Sequence, residues 1–288
     1  MPRSTTANGS VVTMTTVAEV ISTLERRYPL DAQEDWDVNA LTVGSRDAIV
    51  RHVHFAVDPT LDVVREAADA GASMLVTHHP LMLRGVTSVA FDTAKGAVVR
   101  ELIASGIALY NAHTNADAAA GGVADAFARA IGVAPTGPLV PNPADPAVGT
   151  GRVGTLSSTA TLGAFAAAVA QALPPTIHGV RVAGDLGAPI HSVAVVGGSG
   201  DSFLEAAREA GVDAYVTADL RHHPTSDARE LANLGDGRPY LVDVSHFASE
   251  WAWLADAAAL VADVHGVTTT VSHLNTDPWT ARFDAQKE

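Results

Sequence analysis

Cysteine is absent from this 288-residue chain. Without thiols there is no disulfide, no thiolate nucleophile and no cysteine-held zinc or iron–sulfur site. Any metal must be held by His, Asp and Glu, a donor set that suits zinc, iron or manganese. Aromatic residues are scarce, at 5% against 47% hydrophobic residues in all. Ala, Val and Gly carry much of the apolar content, so helices are expected to pack closely through small side chains. Basic residues are also few: 18 Lys and Arg against 32 Asp and Glu leave a net charge of −14. A nucleic-acid binder needs a positive footprint, and no basic stripe is visible, so a nucleic-acid partner is not expected. There is no run of about 18 apolar residues, so neither a transmembrane helix nor a membrane partner is expected. Residues 1–16 are rich in Ser and Thr and lack the compact apolar stretch of a signal peptide. They read as a disordered tail on a cytoplasmic protein.

What is present is an alternation of strand and helix signals. Helices are expected over Val17–Tyr28, Asp58–Ala70, Thr93–Ser105 and Gly121–Ile131, with Thr16 and Thr60 as N-caps and Gly71 and Gly106 as stops. Strands are expected over Ala48–Val57, at Met74–Thr77 and over Ile107–Ala112. Residues 135–146 hold five of the fifteen prolines and read as a linker between a first half, 17–134, and a second half, 147–288. The C-terminal segment of the second half is expected to close the site described below. The halves echo each other at an offset of 140 residues: Gly71 with Gly211, and Val76-Thr77 with Val216-Thr217. Each then reaches a strand followed by a histidine with an acid four residues on, His113 with Asp117 and His246 with Glu250. The expected fold is α/β, with two similar halves arising by internal duplication and their strand ends facing one cleft.

Four groups of residues carry chemistry. His78-His79-Pro80 closes a buried apolar strand, where two imidazoles can each serve one of two neighbouring metals or can simply be polar residues at a loop. Asp117 can ligate a metal or cap the helix that follows. His113 can be a ligand, a buried satisfied histidine or, as favoured here, hydrogen-bonding support for Asp117. His246 and Glu250, at i and i+4, share one face if a helix opens there, and a bidentate carboxylate can bridge two ions. In Asp219-Leu-Arg-His222-His223-Pro224, Asp219 takes the place of His79. Asp219 and His223 either line the cleft or form a surface turn paired with Arg221. The Gly197–Gly200 stretch reads first as a tight turn and second as an anion site.

Taken in order, Thr77-His-His-Pro-Leu, Ala112-His-Thr-Asn-Ala-Asp with Gly121-Gly-Val, Val195-Val-Gly-Gly-Ser-Gly, Thr217-Ala-Asp-Leu-Arg-His-His and Ser245-His-Phe-Ala-Ser-Glu resemble the signature blocks of the Nif-three-like dinuclear metal-centre family, often named GTP cyclohydrolase I type 2 homologues. The resemblance runs from about Val17 to Trp279. It implies the Nif-three-like fold, a homohexamer and two divalent metal ions per subunit. The ligands it implies are His78, His79, Asp117, His246 and Glu250. By that resemblance His79 and Asp117 hold one ion, His78 and His246 the other, and Glu250 bridges both. The chain resembles the shorter members, without a large inserted middle domain. Asp37-Val-Asn-Ala-Leu departs from the family's usual Asp-Asn-Val-Gly-Leu.

The expected chemistry is hydrolysis of a small nucleotide- or phosphoester-type molecule by a metal-activated water. His113 and His223 are the candidates for proton transfer or supporting hydrogen bonds. Two other functions share the same ligands: a non-catalytic metal-binding adaptor, and metal storage or delivery.

Overall fold

The computed structural model describes residues 14–283. Most of the expected disordered tail, residues 1–13, lies outside them. Its last residues belong to the fold: the Thr15 hydroxyl donates to the His265 carbonyl, and Thr16 caps the first helix in a capping box with Glu19.

Helices α1 (Val17–Arg27), α2 (Leu61–Asp69), α3 (Ala94–Ser105), α4 (Thr114–Ala118) and α5 (Val123–Ala130) alternate with strands β1 (Leu41–Val43), β2 (His52–Ala56), β3 (Met74–Thr77) and β4 (Ala108–Asn111). Then follow β5 (Val133–Gly137), β6 (Val140–Pro141), β7 (Gly149–Thr150), β8 (Arg152–Thr161), α6 (Leu162–Ala172), β9 (Arg181–Ala183) and β10 (Pro189–Ser199). The chain continues through α7 (Leu204–Glu209), β11 (Ala214–Ala218), α8 (His222–Asn233), β12 (Tyr240–Val244), α9 (His246–Trp251), α10 (Trp253–Ala262) and β13 (Thr268–Val271).

Local chemistry sets the helix ends. Thr60 and Thr93 accept from the amides of Val63 and Gly96 at the starts of α2 and α3. Gly106 ends α3 in the left-handed region, at φ 68°, which costs a glycine nothing. Strand β3 is buried at every position, as a parallel strand covered on both faces must be.

The strands form two main sheets, ordered β1-β4-β3-β2-β13 and β5-β8-β10-β11-β12-β9. Each contains three consecutive parallel strands, β2-β3-β4 and β10-β11-β12. The first pair agrees in register at the offset of 140, Val53 lying opposite Met74 as Val193 lies opposite Ala214. The third strand pairs alike at a shorter offset, Met74 lying opposite Ala108 as Ala214 lies opposite Tyr240. The carboxyl ends of these parallel strands carry the residues of interest.

The halves are less separate than the proline-rich segment suggests. Rather than a free linker, that segment carries β5 and β6. Pro135 sits on the edge strand of the second sheet, where a missing amide donor is tolerated. Helix α5 is buried on two sides: Val123 and Ala126 join the core of the first sheet, Phe127 and Ala128 that of the second. From the other half, Trp253, Leu254 and Ala257 of α10 enter the first core, and β13 adds a parallel strand beside β2. No helix among the described residues is long and apolar enough to cross a membrane.

Candidate metal centre

Three neighbouring strand ends of the first sheet and two of the second place their side chains together. His78 and His79 follow β3, whose continuation is pinned by the amides of both residues donating to the Ala56 and Val57 carbonyls. His113 and Asp117 follow β4. His246 and Glu250 lie one turn apart on α9, directly after β12.

Each imidazole is oriented through its Nδ1. His78 Nδ1 donates to the Ala112 carbonyl at 2.9 Å, His79 to Asp58 at 2.7 Å, His113 to Asp37 at 2.8 Å and His246 to Asp219 at 2.7 Å. A proton on Nδ1 leaves the Nε2 lone pair free, and in such arrangements Nε2 is the metal-binding atom. The Nε2 atoms turn inward on Glu250: His78 lies 3.4 Å and His246 3.1 Å from its Oε1, and His79 lies 3.2 Å from its Oε2. His79 and His246 face each other at 3.2 Å between Nε2 atoms, while His78 Nε2 lies 3.6 Å from Asp117 Oδ1. Glu250 Oε1 thus faces His78 and His246 together and Oε2 faces His79, while His78 also approaches Asp117 and His79 also approaches His246.

The electrostatics follow from burial. Glu250 is 3% exposed, and although burial alone would raise its pKa, His246, His79 and His78 hold it well below the usual carboxylate range. Burial opposes a charge on His79, but Glu250 and Asp58 outweigh it and raise its pKa to about 10. Glu250 is the leading cause that brings His246 up to about 11. Burial pushes Asp117 upward. A field that favours protons on inward-facing imidazoles also favours a metal cation in their place, because the same lone pairs serve both.

The donor set fits a metal centre on independent grounds. His78 Nε2 and Glu250 Oε2 are buried polar atoms with no hydrogen-bond partner, an arrangement that costs stability unless something fills it. Two groups of possible ligand atoms lie within 4.8 Å of one another: His78, His79 and His113, and His79, His246 and Glu250. A cavity of about 680 Å³ opens over the centre, walled by Trp36, Leu83, Phe203 and the Gly197–Ser199 backbone.

Of the other expected residues, Asp219 belongs here and His223 does not. Asp219 has φ 56°, the one positive φ outside glycine among the described residues, a conformation Asp tolerates better than most. Arg221 pairs with Asp201 instead of with Asp219. His223 is exposed on α8 beside His222, ring centroids 5.0 Å apart, and does not line the cavity; α8 leads it away from the strand ends. His113 finds its partner in Asp37, not Asp117. The glycine turn serves clearance: a Cβ on Gly198 would stand 2.6 Å from Glu250 Oε1 and 3.3 Å from His246 Nε2. Sequence reasoning passed over Asp58 altogether, although an acid directly after a strand end is a signal in the same class as Asp117.

Fold and site together define an α/β protein with a histidine–carboxylate cluster at opposed strand ends. The chain belongs to the Duf34/NIF3 (NGG1p interacting factor 3) family, whose model it matches over residues 15–278. It is 48% identical over 275 residues to the GTP cyclohydrolase 1 type 2 homolog of Streptomyces coelicolor, covering 93% of this chain and 95% of that one. It is 32% identical to the protein of that name from Mycobacterium leprae, covering 91% and 94%. That alignment spans 373 positions, longer than this chain, so the M. leprae relative has segments this chain lacks. Among solved structures, a Bacillus cereus protein related to NIF3 superposes with a TM-score of 0.83 at 26% identity, covering 93% of this chain and 99% of that one.

Proposed function

We propose that this chain is a dinuclear metal-binding protein and a metal-dependent hydrolase of small nucleotide- or phosphoester-type molecules. The observation that carries the proposal is the convergence of His79, His246 and Asp117 on the buried His78 and Glu250, with two polar atoms left without a hydrogen-bond partner. His79 and Asp117 would hold one divalent ion, His78 and His246 a second, and Glu250 both, as its Oε1 facing His78 and His246 and its Oε2 facing His79 support. The ions, zinc, iron or manganese, supply Lewis acidity toward a water and a phosphoryl or carbonyl oxygen when bound. His113 stands beside His78 and His79 with ring centroids 5.1 and 5.5 Å away. It keeps its Nδ1 proton on Asp37 and offers Nε2 for ligation or proton transfer. Trp36, edge-on to His113 at 5.9 Å, and Phe203 give the substrate apolar walls. The open cavity favours catalysis over storage or a purely adaptor role, neither of which needs a cavity of ligand size. The name shared by the relatives points to the same hydrolase class. We place the protein in the cytoplasm as a homohexamer.

The test is elemental analysis of protein purified without chelator or affinity tag, followed by a broad panel of phosphoester and nucleotide substrates. Bound divalent metal and turnover that Glu250→Gln abolishes without changing the oligomer support the proposal. Well under one ion per subunit defeats the metal reading, and metal-loaded protein that hydrolyses nothing in the panel defeats the enzyme reading. Light scattering after size exclusion tests the hexamer.

A further inference from the structure

Beyond β13 the chain crosses from the first sheet to the second behind the metal centre, on the side away from the large cavity. The crossing segment is fixed at several points. At its start, the Ser272 hydroxyl donates to Glu66, which also accepts from His54 Nε2. Leu274 and Asp277 close turns onto Ser272 and Asn275, and Asn275 donates to the Pro175 carbonyl. Between these anchors, two side chains reach toward the centre. The Thr276 hydroxyl donates to Asp58 Oδ2, while the other oxygen of that carboxylate accepts from His79 Nδ1. Asp277 Oδ2 accepts from the hydroxyl of Ser245, the residue directly before His246.

Ser245 makes the arrangement informative. It occupies the N-cap position of α9, yet its side chain makes no capping hydrogen bond. A serine there ordinarily accepts from a helix amide, and losing a cap costs roughly 1 kcal/mol. Here the hydroxyl accepts from no helix amide, and its proton goes to Asp277. Adjacent residues of one segment therefore reach the partner of His79 and the residue before His246, the two imidazoles whose Nε2 atoms face each other at 3.2 Å. A small cavity of about 280 Å³ lies between the segment and the Nδ1 sides of these rings, lined by Asp58, Asp219, Ser245 and Trp279.

We propose that Thr276 and Asp277 are positioning residues of the metal centre, Thr276 aiming His79 through Asp58 and Asp277 setting the start of α9 that carries His246. This inference rests on the metal-centre reading above. A carboxylate that orients a ligating imidazole works only if it is itself held, and loss of such outer partners typically weakens metal binding by about 10- to 100-fold. A residue that merely tied down the C-terminus would have no such effect.

The experiment measures the Zn²⁺ dissociation constant of the full-length protein by competition with a chromophoric chelator, alongside the melting temperature of the metal-free form. Thr276→Val should weaken Zn²⁺ about tenfold, and Thr276→Ser, which keeps the hydroxyl, should restore it. In an Asp58→Asn background Thr276→Val should add nothing further, because both act through one hydrogen-bonded path. Asp277→Ala should weaken Zn²⁺ independently of Asp58→Asn. If Thr276→Val does not fold, Thr276→Ala carries the same criteria. Affinity within twofold of wild type, a serine variant as weak as the valine one, or additivity with Asp58→Asn overturns the role of Thr276. Wild-type affinity in Asp277→Ala overturns that of Asp277. A wild-type protein that takes up no Zn²⁺ overturns the metal-centre reading, and this one with it.

Discussion

At the carboxyl end of β3 stand two imidazoles, His78 and His79; at the carboxyl end of β11, in the same register, stands Asp219. The next strand along carries the same His-and-acid spacing in both halves, but with different partners. After β4 comes His113, bound to Asp37, with Asp117 four residues on. After β12 comes His246, bound to Asp219, with the buried Glu250 four residues on. One frame thus supplies two kinds of part. The first half gives a floor of imidazoles at rigid strand ends, His78 being wholly buried. The second gives a carboxylate between them and a more exposed imidazole, 34% accessible. Matching strand geometry places residues at one edge, and side-chain identity alone decides which become donors and which become their hydrogen-bond partners.

The largest expected effect tests how the halves share the ions. Glu250 Oε1 faces His78 and His246 together. In fully loaded protein, His78→Ala and His246→Ala should each lose the same ion, and the double variant should keep the other. If His78 and His246 instead held different ions, the double variant would lose both. Ions counted per subunit by elemental analysis, after dialysis against a weak chelator, separate the two outcomes.

Next is Gly198→Ala, which puts the second half's close approach under strain. Gly198 has φ 68°, a conformation that costs a residue with a Cβ roughly 1–2 kcal/mol. The new methyl would also stand 2.6 Å from Glu250 Oε1, so Glu250 must move. Zn²⁺ affinity should fall by more than about tenfold, with a lower melting temperature in the metal-free protein. Unchanged affinity in a destabilised variant would show that the turn is needed for the backbone alone.

A smaller effect compares the two supporting acids. Asp58→Asn and Asp219→Asn each remove the negative charge behind one imidazole, and each should weaken Zn²⁺ by about tenfold or somewhat more. Asp58 should matter more, because it is 28% exposed and held by Thr276, whereas Asp219 is 52% exposed. The reverse order in chelator competition would mean that the exposed half of the site, not the buried floor, controls retention.

Much of this frame was legible in the sequence because its signals are local. Thr16 and Thr60 before apolar runs, and the left-handed glycines at 71, 106 and 211, mark helix ends within a few residues. The Gly71/Gly211 offset led to the shared register, which supports the duplicated-unit reading. The histidines and acids beyond strand ends were visible as candidates for the same reason. Their partners were not. Asp58 is 21 residues from His79 and Thr276 is 218 from Asp58, distances that no short motif spans. The return of β13 to the first sheet was hidden likewise, since a four-residue Thr/Val strand carries no sign of which sheet it joins. The proline-rich stretch misled because proline discourages central strands but not edges, and His223 misled because repeating the His-His-Pro text did not repeat its position relative to the strand.

The smallest expected effect lies away from the metal and probes the same offset. Ser73 and Asp213 occupy matching positions before β3 and β11. The Ser73 hydroxyl accepts from the amides of Arg51 and His52, and the Asp213 carboxylate accepts from those of His191 and Ser192. The job is the same, but only the second half does it with a titratable group. Although burial works against it, these amides and Arg238 lower the Asp213 pKa to about 2. A carboxyl whose folded pKa is depressed contributes stability that is present above its unfolded value near 4 and is lost as the pH falls toward 2. At most about 3 kcal/mol is at stake, since one pKa unit corresponds to roughly 1.4 kcal/mol, and solvent screening at the surface reduces it. Denaturant unfolding of Asp213→Asn should therefore show a lower stability than wild type at pH 6 and a smaller difference at pH 3. Ser73→Ala should cost a similar or lesser amount at both pH values. Equal pH dependence in the two variants would mean that charge at Asp213 adds nothing to the hydrogen bonds it shares with Ser73.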